Sequence, residues 1–164
     1  SSSWNDKTQN IYANNPNGTV NQVLNQVWNV ITSTWDNSQR ETYSYNSSDK
    51  GTLVITEKWV GGVWQNFNKQ TNTYDGNGFL TNMLFEIWDI PSSSWVNEMQ
   101  SNFNNNGTGT ILDVVIQSWD TTSSIWENND RISYTYNSSN KVVTAIDEIW
   151  IVNTWQNFFK RLNF

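Results

Sequence analysis

Three glutamates recur at one place in this sequence. Glu57, Glu86 and Glu148 each stand two residues before a tryptophan. Hydrolysis of a glycosidic bond needs two carboxylates flanking the bond, and these are the best-placed acids for it. Two further copies of the same place hold Gln26 and Gln117. A position that accepts either Glu or Gln reads as a cross-strand hydrogen-bonding site, because general acid–base work needs the ionisable group. The chain has no His and no Cys, so the usual zinc, thiol and Ser-His-Asp arrangements are absent. The Asp75-Gly76-Asn77-Gly78 stretch offers one acid, too few for a hard cation. No catalytic residue, metal site or cofactor is expected, and the chain reads as non-enzymatic.

A second recurring place is basic: Arg40, Lys69, Arg131 and Lys160, with Gln9 and Gln100 as its uncharged copies. Such a side chain is expected to cover a neighbouring Trp or Tyr ring, with a cation–π contribution. An anion or glycan contact is the functional alternative. The sharpest binding candidates are the tryptophans themselves. Exposed rings at regular spacing can stack on sugars, whereas packed rings stabilise a sheet by pairing across strands. All eleven obey one structural rule, which favours packing.

That rule is a tandem repeat. Trp4, Trp35, Trp64, Trp95, Trp126 and Trp155 form an opening class; Trp28, Trp59, Trp88, Trp119 and Trp150 form a closing class. A closing Trp follows its opening Trp by 24 residues in all five cases, and the next opening Trp comes 7, 5, 7, 7 and 5 residues later. The repeats therefore span 4–34, 35–63, 64–94, 95–125 and 126–154, with a partial copy at 155–164. The two repeat lengths, 29 and 31 residues, differ by an even number, which keeps side-chain direction in a structure of period two. An Asp or Asn (Asp6, Asn37, Asn66, Asn97, Asn128, Asn157) lies two residues after each opening Trp, and an aliphatic residue (Leu24, Ile55, Leu84, Val115, Ile146) four before each closing one.

The elements that must position these residues are β-hairpins. The middle of each 24-residue span is a turn cluster: Asn15-Pro16-Asn17-Gly18, Ser47 to Gly51, Asp75 to Gly78, Asn105 to Gly109, and Asn137 to Asn140. Asn and Gly tolerate the positive φ of tight turns, and the flanks are rich in β-formers. The links between paired tryptophans are four or six residues, long enough for a hairpin and too short for a parallel crossover. The spacing predicts one all-β repeat domain over 1–164, an antiparallel meander of ten or eleven strands built from five hairpin repeats and coiled or stacked like a solenoid. The two tryptophans around each link should face each other. The tyrosines eight and ten residues after an opening Trp (Tyr12, Tyr43, Tyr45, Tyr74, Tyr134, Tyr136) should share its face unless a bulge intervenes. Both faces carry apolar residues, so which is buried stays open.

Composition narrows the setting. The net charge is −6 with a pI near 4.4, which offers no basic surface to nucleic acid. No apolar run approaches a membrane span, and Ser1-Ser2-Ser3-Trp4 carries no signal-peptide pattern. Only 15% of residues are charged while 27 are Asn, a polar-uncharged balance common in secreted surface proteins. Four Asn-x-Ser/Thr sequences, at Asn17, Asn46, Asn106 and Asn137, fall in turns and are glycan acceptors only in a host that N-glycosylates.

The segments Tyr43-Ser44-Tyr45-Asn46, Tyr74-Asp75-Gly76-Asn77-Gly78 and Tyr134-Thr135-Tyr136-Asn137 resemble the Y-D element of Rhs/YD-type repeats. The paired-Trp link and Asn-rich background are also similar to repeats in secreted and surface proteins of Bacteroidetes bacteria. The likeness spans the whole chain on short motifs, and it departs from the YD unit in repeat length and in its two fixed tryptophans. It implies an extracellular scaffold, stalk or adhesin segment at the cell surface. The expected partners are other repeats, a homo-oligomer or filament joined at sheet edges, or a surface glycan. The repeat breaks off at both ends without a polar cap, so a stretch of a longer array is expected.

Overall fold

The 24-residue span folds as a hairpin with a three-residue loop, and five loops are built alike. Asn15 N donates to Thr19 O at 2.8 Å and Gly18 N to Asn15 O at 2.9 Å. The same pair of bonds joins Asn46, Lys50 and Asp49, then Asp75, Phe79 and Gly78, then Asn106, Thr110 and Gly109, and last Asn137, Lys141 and Asn140. The third loop residue is left-handed in each, from φ 57° at Asp49 and Asn140 to 89° at Gly18. This is a type I turn closed by a left-handed residue, the usual three-residue hairpin loop. The first residue holds it by side chain: Asn46 Oδ1 accepts from Ser48 N (2.9 Å) and Lys50 N (3.1 Å), and Asp75, Asn106 and Asn137 repeat the pattern. Three of the four Asn-x-Ser/Thr asparagines, Asn46, Asn106 and Asn137, thus have a structural task. At Gly109 an added Cβ would lie 2.2 Å from the Phe79 ring, so glycine is required by space as well as by φ.

The computed structural model describes residues 7–162; Trp4, Asp6 and Asn163 lie outside them. It consists of β1 (Thr8–Asn14), β2 (Val20–Asn29), β3 (Thr34–Tyr45), β4 (Gly51–Val60), β5 (Val63–Tyr74), β6 (Leu80–Asp89), β7 (Ser94–Asn105), β8 (Ile111–Asp120), β9 (Ile125–Tyr136), β10 (Val142–Ile151) and β11 (Thr154–Leu162). These form an antiparallel meander in one open sheet of eleven strands in sequence order. No helix occurs among the described residues. The chain divides into two compact units, Ser1–Thr71 with Glu86–Val96, and Asn72–Phe85 with Asn97–Phe164.

The links come in two designs. Val60↔Val63 and Ile151↔Thr154 are joined by two residues, both left-handed: Gly61 and Gly62 (φ 59° and 88°), and Val152 and Asn153 (φ 47° and 60°). This is the type I′ hairpin turn. Val152, β-branched and 86% exposed, is strained there. The longer links close with a left-handed serine, Ser33, Ser93 or Ser124, and are tied by the residue after the closing Trp. Asn29 Oδ1 accepts from Ile31 N (3.0 Å), Asp89 Oδ2 from Ser92 N (3.0 Å) and Asp120 Oδ1 from Thr122 N (2.8 Å). The serine hydroxyls of Ser92 and Ser123 also donate to Asp89 and Asp120 and hold both carboxyls below the usual aspartate range.

A bulge on the opening strands decides the faces. In unit 1, Gln26 pairs with Asn37 but Asn25 with Gln39, leaving Ser38 extra, and Phe67 is extra in the same way. In unit 2 the extra residues are Asn129 and Phe158. One inserted residue reverses the alternation beyond it. Trp35 and Asn37 therefore share a face with Arg40, while Tyr43 and Tyr45 point to the other. The bulge is the exception to the expected sharing of one face by the tyrosines and the opening tryptophans, and it puts them on opposite faces. The Tyr face pairs Tyr12 with Val23, Tyr43 with Val54, Phe103 with Val114 and Tyr134 with Ala145. It holds the two apolar residues that are buried among the described ones, Val23 and Ala145. No described side chain is fully buried, as expected where residues pack beside one another on a sheet face.

Candidate functional site

The links bring closing and opening tryptophans into direct opposition. In unit 1, Trp28 pairs with Trp35, and Trp59 with Trp64. Their rings meet edge to face, with centroids 5.3 Å and 4.9 Å apart, and Trp88 meets Trp95 at 5.0 Å. In unit 2 the pairs are Trp119 with Trp126 at 5.1 Å and Trp150 with Trp155 at 4.8 Å. Interplanar angles run from 62° to 71°. This puts positive ring edge against negative ring face, worth about 0.5–1.5 kcal/mol per pair beyond the buried area. All ten described tryptophans are half-buried, so each keeps part of its ring in water.

Beside each pair runs a polar rung, two strands wide or more. The recurring Glu/Gln position of a closing strand meets the recurring basic/Gln position of the opening strand before it. Arg40 Nε and Nη2 donate to Glu57 Oε2 and Oε1 at 2.5 and 2.8 Å. Lys69 Nζ lies 2.6 Å from Glu86 Oε2. Arg131 Nε and Nη2 reach Glu148 at 2.6 and 2.8 Å. The other two rungs are neutral: Gln9 Nε2 donates to Gln26 Oε1 at 2.7 Å, and Gln100 Nε2 to Gln117 Oε1 at 2.8 Å. Each glutamine then donates onward, Gln26 to Asn37 Oδ1 (2.9 Å) and Gln117 to Asn128 Oδ1 (2.8 Å). In unit 2, Asn82 also donates to Gln100 Oε1 at 3.1 Å, so four amides run in a chain.

The rung type is matched at both ends: charged partners meet charged ones, and amides meet amides. The signal was in the sequence, as the joint occurrence of Arg40 with Glu57, Lys69 with Glu86, Arg131 with Glu148, Gln9 with Gln26 and Gln100 with Gln117. Reading it required the bulge, because a position five residues after a Trp otherwise lies on the opposite face.

The cations also lie over tryptophans, as expected of the basic position. Arg40 Cζ is 4.7 Å from the Trp64 ring centroid, Lys69 Nζ is 5.1 Å from that of Trp95, and Arg131 Cζ is 5.0 Å from that of Trp155. Each charged rung thus caps the opening ring of the following repeat. Glu57 and Glu148 keep only 15% and 12% of their side-chain surface exposed. The hydrogen-bonded Arg131 holds the Glu148 carboxyl below the usual range, while Glu148 and Glu57 raise the guanidinium pKa of Arg131 and Arg40. Lys160 makes no ion pair among the described residues; it stands opposite Ile146 on the terminal strand.

The Tyr face has its own ties. Tyr45 Oη donates to Val20 O at 2.8 Å, and Tyr136 Oη to Ile111 O at 2.6 Å; at the equivalent place Asn105 Nδ2 reaches Leu80 O at 2.7 Å. Burial and a hydrogen bond to Glu41 push Tyr43 up to about 12. No group of three or more acids gathers as a metal site among the described residues. No helix of the described residues is long and apolar enough to cross a membrane.

No protein-family model matches the chain. No curated protein matches its sequence. Similarity appears in the fold. A protein of unknown function from Bacteroides fragilis NCTC 9343 superposes with a TM-score of 0.66 at 10% identity, over 78% of this chain and 92% of that one. A DUF3836 family protein from Bacteroides vulgatus ATCC 8482 gives 0.46 at 13% identity, over 56% and 90%. At such identities what the first of these shares with the chain is the antiparallel sheet.

Proposed function

We propose that the chain is a non-enzymatic structural repeat that works outside the cell as a stalk, scaffold or adhesin segment. In this reading its hairpins form a coiled or stacked, solenoid-like array that associates through sheet edges with further repeats or copies. The observation that carries it is that the repeat's recurring residues are spent on one another. Described tryptophans meet in edge-to-face pairs, and the Glu, Arg, Lys and Gln positions close rungs. Residues kept for packing at every repeat suit a module whose task is to span distance. Open strand edges suit joining. Size-exclusion chromatography with light scattering, over a concentration series, tests it. Growth of the species with concentration is expected, and loss of growth when Pro is placed at a β11 edge position. A strictly monomeric chain at all concentrations would count against edge association.

A second reading, a carbohydrate-binding module, is favoured by one observation: every described Trp is only half-buried. A glycan-array screen separates the two. Binding to a defined glycan, lost when tryptophans are replaced, would favour the second reading over the first.

A further inference from the structure

Between the link ends of two successive hairpins of unit 2 lies a groove of about 630 Å³. We propose that this groove is a saccharide site that takes a pyranose residue of a neutral glycan; this rests on the carbohydrate-binding reading and gives it a location. The groove exists because β9 and β10 stop pairing at Asp130↔Ile149, so the strand ends beyond part from each other. Its lining includes Trp126, Asn128, Trp150, Val152 and Asn153. The volume is within the range of small-ligand sites.

Three features bear on what this groove would take. First, its opening tryptophan carries no cation among the described residues. Trp64, Trp95 and Trp155 are each covered by Arg40, Lys69 or Arg131, whereas the rung that would cover Trp126 is the amide pair Gln100–Gln117. Second, its polar lining is mixed. Asn128 Oδ1 is taken by Gln117, so what it offers is an NH₂ donor, and Asn153 of the link, also in the lining, carries an amide that both donates and accepts. A sugar needs this combination, an apolar ring face to stack and hydroxyls that both donate and accept. An anionic ligand meets a chain of net charge −6. Third, the rim carries a strained residue, left-handed β-branched Val152; strain of this kind gathers at ligand sites. The matching groove of unit 1, between Trp64 and Trp88, is about 320 Å³ and is lined by Ile90 and Ser93 of a longer link. The longer link brings its own residues into the space that the two-residue turn leaves open.

The test is indole NMR on the full chain, labelled at Trp Nε1. Cellohexaose, xylohexaose, mannohexaose and laminarihexaose are titrated separately. At least one is expected to shift the Trp126 and Trp150 signals together. Trp126→Ala should weaken its binding about ten-fold or more. Trp126→Phe, which keeps an aromatic ring against Trp119, should retain binding and guards against loss of fold. Shifts confined to other tryptophans would overturn this site and leave the carbohydrate reading standing. No shift with any of the four would overturn the site as a neutral-glycan site. A response to tetramethylammonium without a response to sugars would reassign the groove to a quaternary cation and overturn the proposal.

Discussion

Two neighbouring rungs of unit 2 do the same job with different chemistry. Gln100–Gln117 is a neutral rung that continues by hydrogen bond into Asn128. Arg131–Glu148 is a bidentate ion pair whose guanidinium also lies over Trp155. Both sit at the same register of the repeat, facing each other across paired strands. An amide is at once donor and acceptor, so it can pass a hydrogen bond along a row. A carboxylate only accepts and a guanidinium only donates, so neither passes a hydrogen bond along the row as an amide does. What the charged rung gains is a cation over the next tryptophan. What the neutral rung gains is a longer amide row and an uncovered Trp126. Complementarity between the two positions matters more than the identity of either.

That comparison can be broken from one side. Glu148→Ala leaves Arg131 partly buried with no carboxylate; its side chain is 32% exposed. The full cost for a buried pair is about 3–5 kcal/mol, and solvent screening at this exposure lowers the expectation to about 2 kcal/mol. Urea denaturation followed by tryptophan fluorescence measures it, and a change under about 0.5 kcal/mol would show the rung to be decorative.

A charge placed in the neutral rung is the mirror experiment. Gln117→Glu cannot donate to Asn128 Oδ1 and sets a carboxylate among amides. The expected loss is about 1–2 kcal/mol. Adding Gln100→Arg should restore most of it, and failure to do so would mean that rung type depends on neighbours other than the partner.

Converting the charged rung whole is gentler. Arg131→Gln with Glu148→Gln recreates the rung that the molecule already contains, so stability should fall by less than about 1 kcal/mol. Each single change should cost more than the pair. A double-mutant cycle with no coupling would contradict the matched-rung rule.

The smallest effects are those of pH and salt. The Glu148 pKa in the folded chain lies below its ordinary value of 4.5. Its stabilisation is therefore fully present above that value and is lost as pH falls through the depressed one. The amide rung does not titrate. The doubly converted chain should lose less stability than the parent on acidification below about pH 4.5, and should respond less to added salt. Thermal unfolding at a series of pH values checks both, with parallel curves as the contrary result.

Legibility followed the order of the interactions. Turns and links could be read because their chemistry is local: Asn46 bonds to the main chain two and four residues on, and Gly61 and Gly62 supply positive φ within a single turn. The opposition of Trp59 and Trp64 follows from their separation alone once the link is a hairpin. The placement of Tyr43 and Arg40 was not legible. Both depend on one unpaired residue, Ser38 in that strand and Phe67, Asn129 or Phe158 in the others. Those four residues share no chemical type, so composition does not mark the bulge.

By itself, then, the sequence determined the repeat, its antiparallel hairpins and the facing of the tryptophans, because each is set by spacing along the chain. Only the tertiary structure decided which face the tyrosines and the cations occupy. That choice is made where two strands match their hydrogen bonds, and a single residue left over on one of them turns every side chain beyond it to the other side.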